Sequence, residues 1–178
     1  MKNKTVIATS ALFAISGLFS TVTMADVTRH ALANNNPFPI SRAVEVSPQT
    51  TLIFHSGMVP GPVNPEAERG SREYYGDTET QALNVFKRFE ESFKELGVGF
   101  GDVIKMQVFM VGDPSMEGKM DFAGFMKAYT LYFGTAEQPN KPARSAFQIA
   151  GLAGGPNMLI EIEMVIANPK GELRITEG

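Results

Sequence analysis

Two spacings of apolar residues alternate along the chain. Ala82, Val85, Phe86, Phe89, Phe93 and Leu96 recur at steps of three and four, the stripe of a helix with one buried face. Asp77 or Thr78 opens it, Thr78 and Gln81 stand at capping-box spacing, and Gly97 ends it. Lys87, Glu91 and Lys94 fall on the opposite, solvated face. A second helix is predicted from Met120 to Phe133, ended by Gly134. Between the helices, "VIKMQVFMV" (Val103 to Val111) is apolar nearly throughout and predicts a strand covered on both faces. Arg42 to Val46 and Thr51 to Ser56 are short β-rich runs separated by Pro48-Gln49, which predicts a hairpin. Arg144 to Ala150 and Met158 to Ala167 are two more strands, with the Gly-rich turn "GLAGGPN" between them. The order β-β-α-β-α-β-β describes an α+β domain with two helices on one face of a sheet.

Alternation along the last two strands assigns faces. Ser145, Phe147 and Ile149 share one face, and Ile160, Ile162, Met164 and Ile166 share one on the next strand. These are expected to meet the helices. The other face then holds Arg144, Ala146 and Gln148 with Leu159, Glu161, Glu163 and Val165. Such a mixed face is either solvated or meets another subunit. If the Gly-rich turn closes a hairpin, Glu161 pairs near Ile149, and Glu161 and Arg144 lie about 15 Å apart at about 3.4 Å per residue. A site using both would borrow one from a neighbour, or only one of them would serve a ligand.

Composition narrows the chemistry. The chain has 178 residues, a net charge of -3 and no cysteine. It is long enough for one domain with a core, and no Lys/Arg block offers a field for nucleic acid. Disulfides, thiol nucleophiles and zinc-thiolate sites are excluded. The histidines are His30 and His55. His30 falls in the segment read as a flexible leader, and His55 is expected to be a packed strand residue. No nucleophile elbow is present, and the Gly-rich turn lacks phosphate-loop spacing. Met106, Met110, Met116, Met120 and Met126 are dense. Core filling is the ordinary reading, and Cu(I) binding by thioethers is the alternative. A metal site is not expected.

The N-terminus runs basic, apolar, small: Lys2 and Lys4, then roughly Val6 to Phe19, then Thr23 and Ala25. That is the order of a secretory signal peptide, expected to be cleaved after Ala25. A retained anchor is the alternative, disfavoured because the run is shorter than the ~20 residues of a span. The expected organisation is a signal peptide over 1–25, a linker or arm over 26–37 and one domain over 38–178. The protein is then periplasmic or secreted, with no membrane contact after cleavage.

The segments "KPARSAFQIAGL" (141–152) and "NMLIEIEMVIA" (157–167) resemble the C-terminal signature of the Rid (reactive intermediate deaminase, YjgF-type) family. "LIFHSGMVP" (52–60) looks like that family's second strand. "ETQALNVFKRFEESFKELG" (79–97) and "DFAGFMKAYTLYF" (121–133) look like its two helices. The resemblance covers about residues 38–167. It implies a chorismate-mutase-like fold and a homotrimer with clefts between subunits. It also implies hydrolysis of enamines and imines to 2-keto acids and ammonia, without metal or cofactor. The family arginine maps onto Arg144 and the first glutamate of its last strand onto Glu161, as catalytic residues. Gly57 and Tyr129 map onto substrate-binding positions. Arg144 would grip the carboxylate of a small imine or enamine with its planar fork. Glu161 would position the attacking water or move a proton, and Glu163 is read as structural. Three substrate-binding positions depart from the pattern. Ile40 stands where active members commonly have tyrosine, Met126 where they often have asparagine, and Ala146 where many have cysteine. These changes point to a changed or weaker substrate preference, a larger and more apolar ligand being one form of it. The alternatives are a non-catalytic trimer binding small carboxylates, or an interaction or holdase protein with a vestigial site. The long loop from Gly61 to Asp77, with Tyr74 and Tyr75, either shapes the site mouth or covers an edge.

Overall fold

The structure, a computed structural model, describes residues 27–169. The predicted signal segment lies outside the described residues. In chain order the elements are β1 (Val27–His30), β2 (Ala43–Val46), β3 (Thr51–Met58), α1 (Arg72–Tyr75), α2 (Thr78–Leu96), β4 (Val103–Val111), α3 (Phe122–Tyr129), β5 (Ala143–Ile149) and β6 (Ile160–Asn168). A four-stranded sheet has the order β3-β6-β4-β5, and β1 and β2 form a separate antiparallel ribbon. Both long helices lie on one face of the larger sheet, as predicted. Phe86, Phe89 and Phe93 of α2 and Phe125 of α3 are buried against Met106, Val108, Ile160, Ile162, Met164 and Ile166. Each such side chain contributes about 1.5–3 kcal/mol on leaving water.

The ends of α2 have identifiable causes. The Asp77 side chain, one residue before the expected cap pair, accepts from the Thr80 N–H, and Gly97 closes the helix at φ 69°. Left-handed backbone of that kind favours glycine. Gln81 serves another purpose. It is buried, donates to the carbonyls of Gly76 and Asn157 at 3.0 and 2.8 Å, and accepts from the Leu159 N–H at 2.7 Å. It ties α2 to the loop before β6. The second helix is shorter than its apolar pattern: α3 stops at Tyr129, and residues 130–133 continue as turns to Gly134.

Both predicted hairpins are replaced by longer-range pairings. β2 pairs with β1, and β3 pairs with β6. The segment read as a linker or arm thus contains a strand, and His30 ends it 3.4 Å from Glu45. Between β5 and β6 lies β4, parallel to β5 and antiparallel to β6. Parallel neighbours need a crossover, and α3 supplies it. The Gly-rich stretch therefore connects strands that are not adjacent. β4 is covered on one face only: Met106, Val108 and Met110 are fully buried, while Lys105, Gln107 and Phe109 are partly open on the other side.

The pairing also reverses the face assigned to Arg144. Met106 pairs with Arg144 and Val108 with Ala146, so Arg144, Ala146 and Gln148 stand on the helix side. Ser145 and Phe147 stand on the open side, where Phe147 is 39% exposed and meets Phe109 edge-on at 5.2 Å. Alternation separates the two sets but does not say which one is buried. The apolar Phe147 suggested the wrong one.

Candidate functional site

Arg144 enters the sheet on a backbone held from several directions. Arg29 of β1 donates to the carbonyls of Val103 and Lys141, at 2.9 and 2.8 Å, and of Gly101 at 2.9 Å. Burial lowers the pKa of Arg29, and Asp102 opposes that shift. Ser41 donates its hydroxyl to Lys141 O at 2.6 Å and its N–H to Pro142 O at 2.9 Å. Its bridge to Ala143 lays the 38–42 segment beside the start of β5. Pro142 thus sits inside a fixed corner, and Arg144 leaves it toward α3.

The guanidinium ends among aromatic rings. Its central carbon lies 4.2 Å from the ring centre of Tyr129, 5.1 Å from Phe125, 5.4 Å from Phe38 and 5.6 Å from Phe122. Nη1 donates to the Met126 sulfur at 3.2 Å. Arg144 is half-buried, and no carboxylate comes within ion-pair distance of it among the described residues. Burial lowers its pKa, opposed by Tyr129, but a guanidinium stays charged at any ordinary pH. Tyr129 is fully buried, and burial pushes its phenol up to about 12 against the opposing charge of Arg144. The neutral hydroxyl donates to Pro39 O at 2.7 Å. Ile40 follows that carbonyl and is half-buried, and Ala146 packs against the core on the same face as Arg144. Arg144, Tyr129, Met126, Ala146 and the Ile40 segment are therefore one neighbourhood.

Glu161 and Gly57 form another, on the open face. A Cβ on Gly57 would fall 1.9 Å from Glu161 Oε1, so the missing side chain is what lets the carboxylate lie over β3. The β3–β6 register shifts between His55 and Met58 at the same place. Arg144 pairs with Met106 and Glu161 with Phe109, three positions along β4 and on strands either side of it. At about 3.4 Å per residue and about 4.8 Å per strand, the Cα atoms stand about 14 Å apart. They also point to opposite faces, so one subunit cannot bring both groups to one small molecule. The expected separation stands, although the hairpin behind it does not form. Glu163 shares the open face with Lys105 and Gln107, around a shallow cavity of about 350 Å³.

His55 packs on Phe89 and Phe93, with ring centres 4.9 and 6.1 Å away, as expected. Its Nε2 is 2.8 Å from Ser92 Oγ and its Nδ1 2.8 Å from Ser56 O. Ser92 sits near the carboxyl end of α2, where carbonyls rather than N–H groups are exposed. The 61–77 loop is tied down. Arg72 meets Asp113 at 2.8 Å, Asn157 donates to Gly70 O at 3.0 Å, and Tyr75 is buried. It lies against the β4–α3 connection that holds Asp113. Of the methionines, Met106 and Met110 fill the core, whereas Met116 is 41% exposed. Among the described residues no cluster of three or more His, Asp or Glu side chains is gathered for a metal, and no helix is long and apolar enough to cross a membrane.

Phe38, Phe122 and Phe125 were not among the residues singled out from sequence. The available signal was the pair of phenylalanines flanking Gly124 on the same helix as Tyr129 and Met126.

Comparison with known proteins agrees with this arrangement. The endoribonuclease L-PSP family profile matches residues 28–168. A RutC family protein of Haemophilus influenzae is 28% identical over 123 residues, 69% of this chain and 83% of that protein. The crystal structure of the Rid-family protein YyfB from Yersinia pestis, described as of unknown function, superposes with a TM-score of 0.59. It is 20% identical and covers 80% of this chain and 98% of its own. At that identity it supports the fold. The profile match, spanning β1 to the end of β6, shows that the chain belongs to the Rid (YjgF, endoribonuclease L-PSP) family.

Proposed function

We propose that this protein hydrolyses small carboxylate-bearing imines and enamines to 2-keto acids and ammonia, in a cleft completed by a second copy of the chain. The observation carrying this reading is Arg144: a half-buried guanidinium in an aromatic shell, with no acid beside it among the described residues. A half-buried cation surrounded by rings and a thioether but no carboxylate suits a ligand anion. Nη1 is engaged by the Met126 sulfur, a weak acceptor that a carboxylate oxygen outcompetes. Arg144 would fix the carboxylate and thus the position of the adjacent C=N carbon. Glu161 of a second copy would hold a water against that carbon. An enamine first takes a proton on carbon and gives one up from nitrogen to become the imine. Water then adds to the C=N bond, the nitrogen takes up protons, and the C–N bond breaks to leave C=O and ammonia. A homotrimer is the assembly that the family resemblance suggests. The first 25 residues are read as a cleaved export signal, testable by N-terminal sequencing of the mature protein.

The profile's name points to RNA instead. A net charge of -3 and an aromatic pocket holding one cation offer little to a polyanion, whose affinity comes from several phosphate contacts. A second reading, a non-catalytic carboxylate binder, is favoured by one observation: Ile40, Met126 and Ala146 place apolar groups around the arginine.

The test is release of ammonia and 2-keto acid from imines formed in situ by an amino-acid oxidase. Arg144→Ala should lose about 2–4 kcal/mol of binding, and Glu161→Gln should lose turnover but not affinity. Mixing the two inactive variants as refolded trimers should restore about a quarter of wild-type activity, because random assembly puts an intact Arg144 beside an intact Glu161 in about that share of clefts. Wild-type hydrolysis by Arg144→Ala would overturn the reading. Turnover by neither wild type nor mixtures, with Arg144-dependent carboxylate affinity, would select the binder.

A further inference from the structure

We infer that Met126 is an oxidation-sensitive gate on Arg144: conversion of its thioether to the sulfoxide closes the anion site. The inference rests on the reading of Arg144 as a carboxylate receptor. Three observations carry it. The Met126 sulfur is the acceptor for Arg144 Nη1, at 3.2 Å. Met126 is only partly buried, unlike Met106, Met110 and Met164, which are sealed in the core. Arg144 has no acid to compete for its donors among the described residues.

The chemistry follows from the donor and acceptor inventory. A thioether is a weak acceptor, easily displaced by a carboxylate. A two-electron oxidant such as hydrogen peroxide transfers one oxygen atom to the sulfur. The O–O bond breaks, an S–O bond forms, the sulfur is oxidised, and the second peroxide oxygen leaves as water with both protons. The product is a polar sulfoxide. Its oxygen, borne on the sulfur that Nη1 already meets at 3.2 Å, carries a strong partial negative charge and is a far stronger acceptor than the thioether. It occupies the donors that the ligand carboxylate needs. The change is reversible, because methionine sulfoxide reductases remove the oxygen.

The experiment treats the full chain with graded hydrogen peroxide and follows each methionine by peptide mass spectrometry. Two properties are read on the same samples. One is the Arg144 Nε–H resonance, assigned by its loss in Arg144→Lys. The other is the affinity for pyruvate. Oxidation at Met126 should shift the resonance and weaken pyruvate binding at least tenfold, and reductase should reverse both. Met126→Leu, compared with its own untreated form, should show neither change. Met126→Gln should have the shifted resonance and weaker binding without oxidant. An unmodified Met126 when Met116 is fully oxidised, or an oxidised Met126 with an unmoved resonance, overturns the inference. An oxidised Met126 with unchanged pyruvate affinity, where that affinity depends on Arg144, does so as well. Failure of untreated protein to bind pyruvate would instead defeat the carboxylate reading, and the resonance arm would still decide whether the sulfoxide engages Arg144.

Discussion

Replacing Arg144 with methionine should leave the fold about as stable as before while abolishing its response to carboxylates. The substitution keeps an unbranched apolar stem and removes the guanidinium. Full desolvation of an unpaired ion costs several kcal/mol, so a half-buried one costs about 2–3. Against this stands attraction to the rings. Tyr129 at 4.2 Å contributes about 1–2 kcal/mol, and the three rings beyond 5 Å about 0.5 each. A methionine sulfur among the same rings regains about 0.3–1.5 kcal/mol. The balance lies between a loss of about 1 and a gain of about 2 kcal/mol, tilted toward stabilisation. A cation paired to a buried acid would behave differently, because its removal typically costs about 3–5 kcal/mol. Thermal unfolding at fixed protein concentration reads the difference at about 2–4 °C per kcal/mol for a chain of this size. Adding pyruvate at about 100 times its Kd should stabilise wild type by about 2.7 kcal/mol and Arg144→Met not at all. A loss above about 3 kcal/mol, or a retained ligand shift, would refute the view of Arg144 as an unpaired anion receptor.

Burial pushes the Asp113 carboxyl up, but hydrogen bonds from Arg72 and Ser115 outweigh it and hold the group below its ordinary value. Its contribution is therefore present above the unfolded value of about 3.9 and lost as pH falls through the lower folded value. Urea titrations from about pH 6 down to about pH 2 should show this slope, and Arg72→Ala should flatten it and cost about 2–3 kcal/mol at neutral pH. With burial raising the Tyr129 phenol to about 12, the unfolded chain ionises first. Stability is full below about pH 10 and falls by about 1.4 kcal/mol per pH unit up to about 12, a slope that Tyr129→Phe should remove. Gly57→Ala, whose Cβ would meet Glu161 Oε1 at 1.9 Å, should displace the carboxylate by about 1 Å or more. Imine hydrolysis should fall about tenfold to a hundredfold, with little change in thermal midpoint because a flexible side-chain end gives way.

Most of the fold was legible because its signals are local. The stripe of α2, its glycine stop and the alternation of Ile160, Ile162, Met164 and Ile166 each follow from one stretch of chain. The errors came from partner choice. Short polar runs such as Val27–His30 carry too little period to stand out, yet this one takes β2 from its expected hairpin partner. The Gly-rich stretch before β6 looks like a hairpin turn, but turn chemistry says only that the chain bends. It does not say that the flanking strands are neighbours.

The site shows the same division. Arg144, Glu161, Gly57, Tyr129 and Met126 were named from resemblance to the Rid family, and the structure sorts them into two groups on opposite faces. The sorting depends on register, and of this the sequence carried only the strand direction. β4, α3 and β5 form a β-α-β unit, and such a unit makes its strands parallel. Parallel pairing of Met106 with Arg144 then forces the arginine to the side where Met106 is buried, because paired residues share a face. The β-α-β rule makes β4 and β5 parallel but leaves the register open; the observed pairings place Arg144 under α3 and Glu161 on the open face. That placement also makes the case for a shared site stronger than distance does. A separation of about 14 Å is within reach of side-chain movement combined with a long ligand, but a sheet one residue thick with a packed core on one side is not crossed by any small carboxylate. If both groups act on one molecule, the glutamate must come from another copy of the chain.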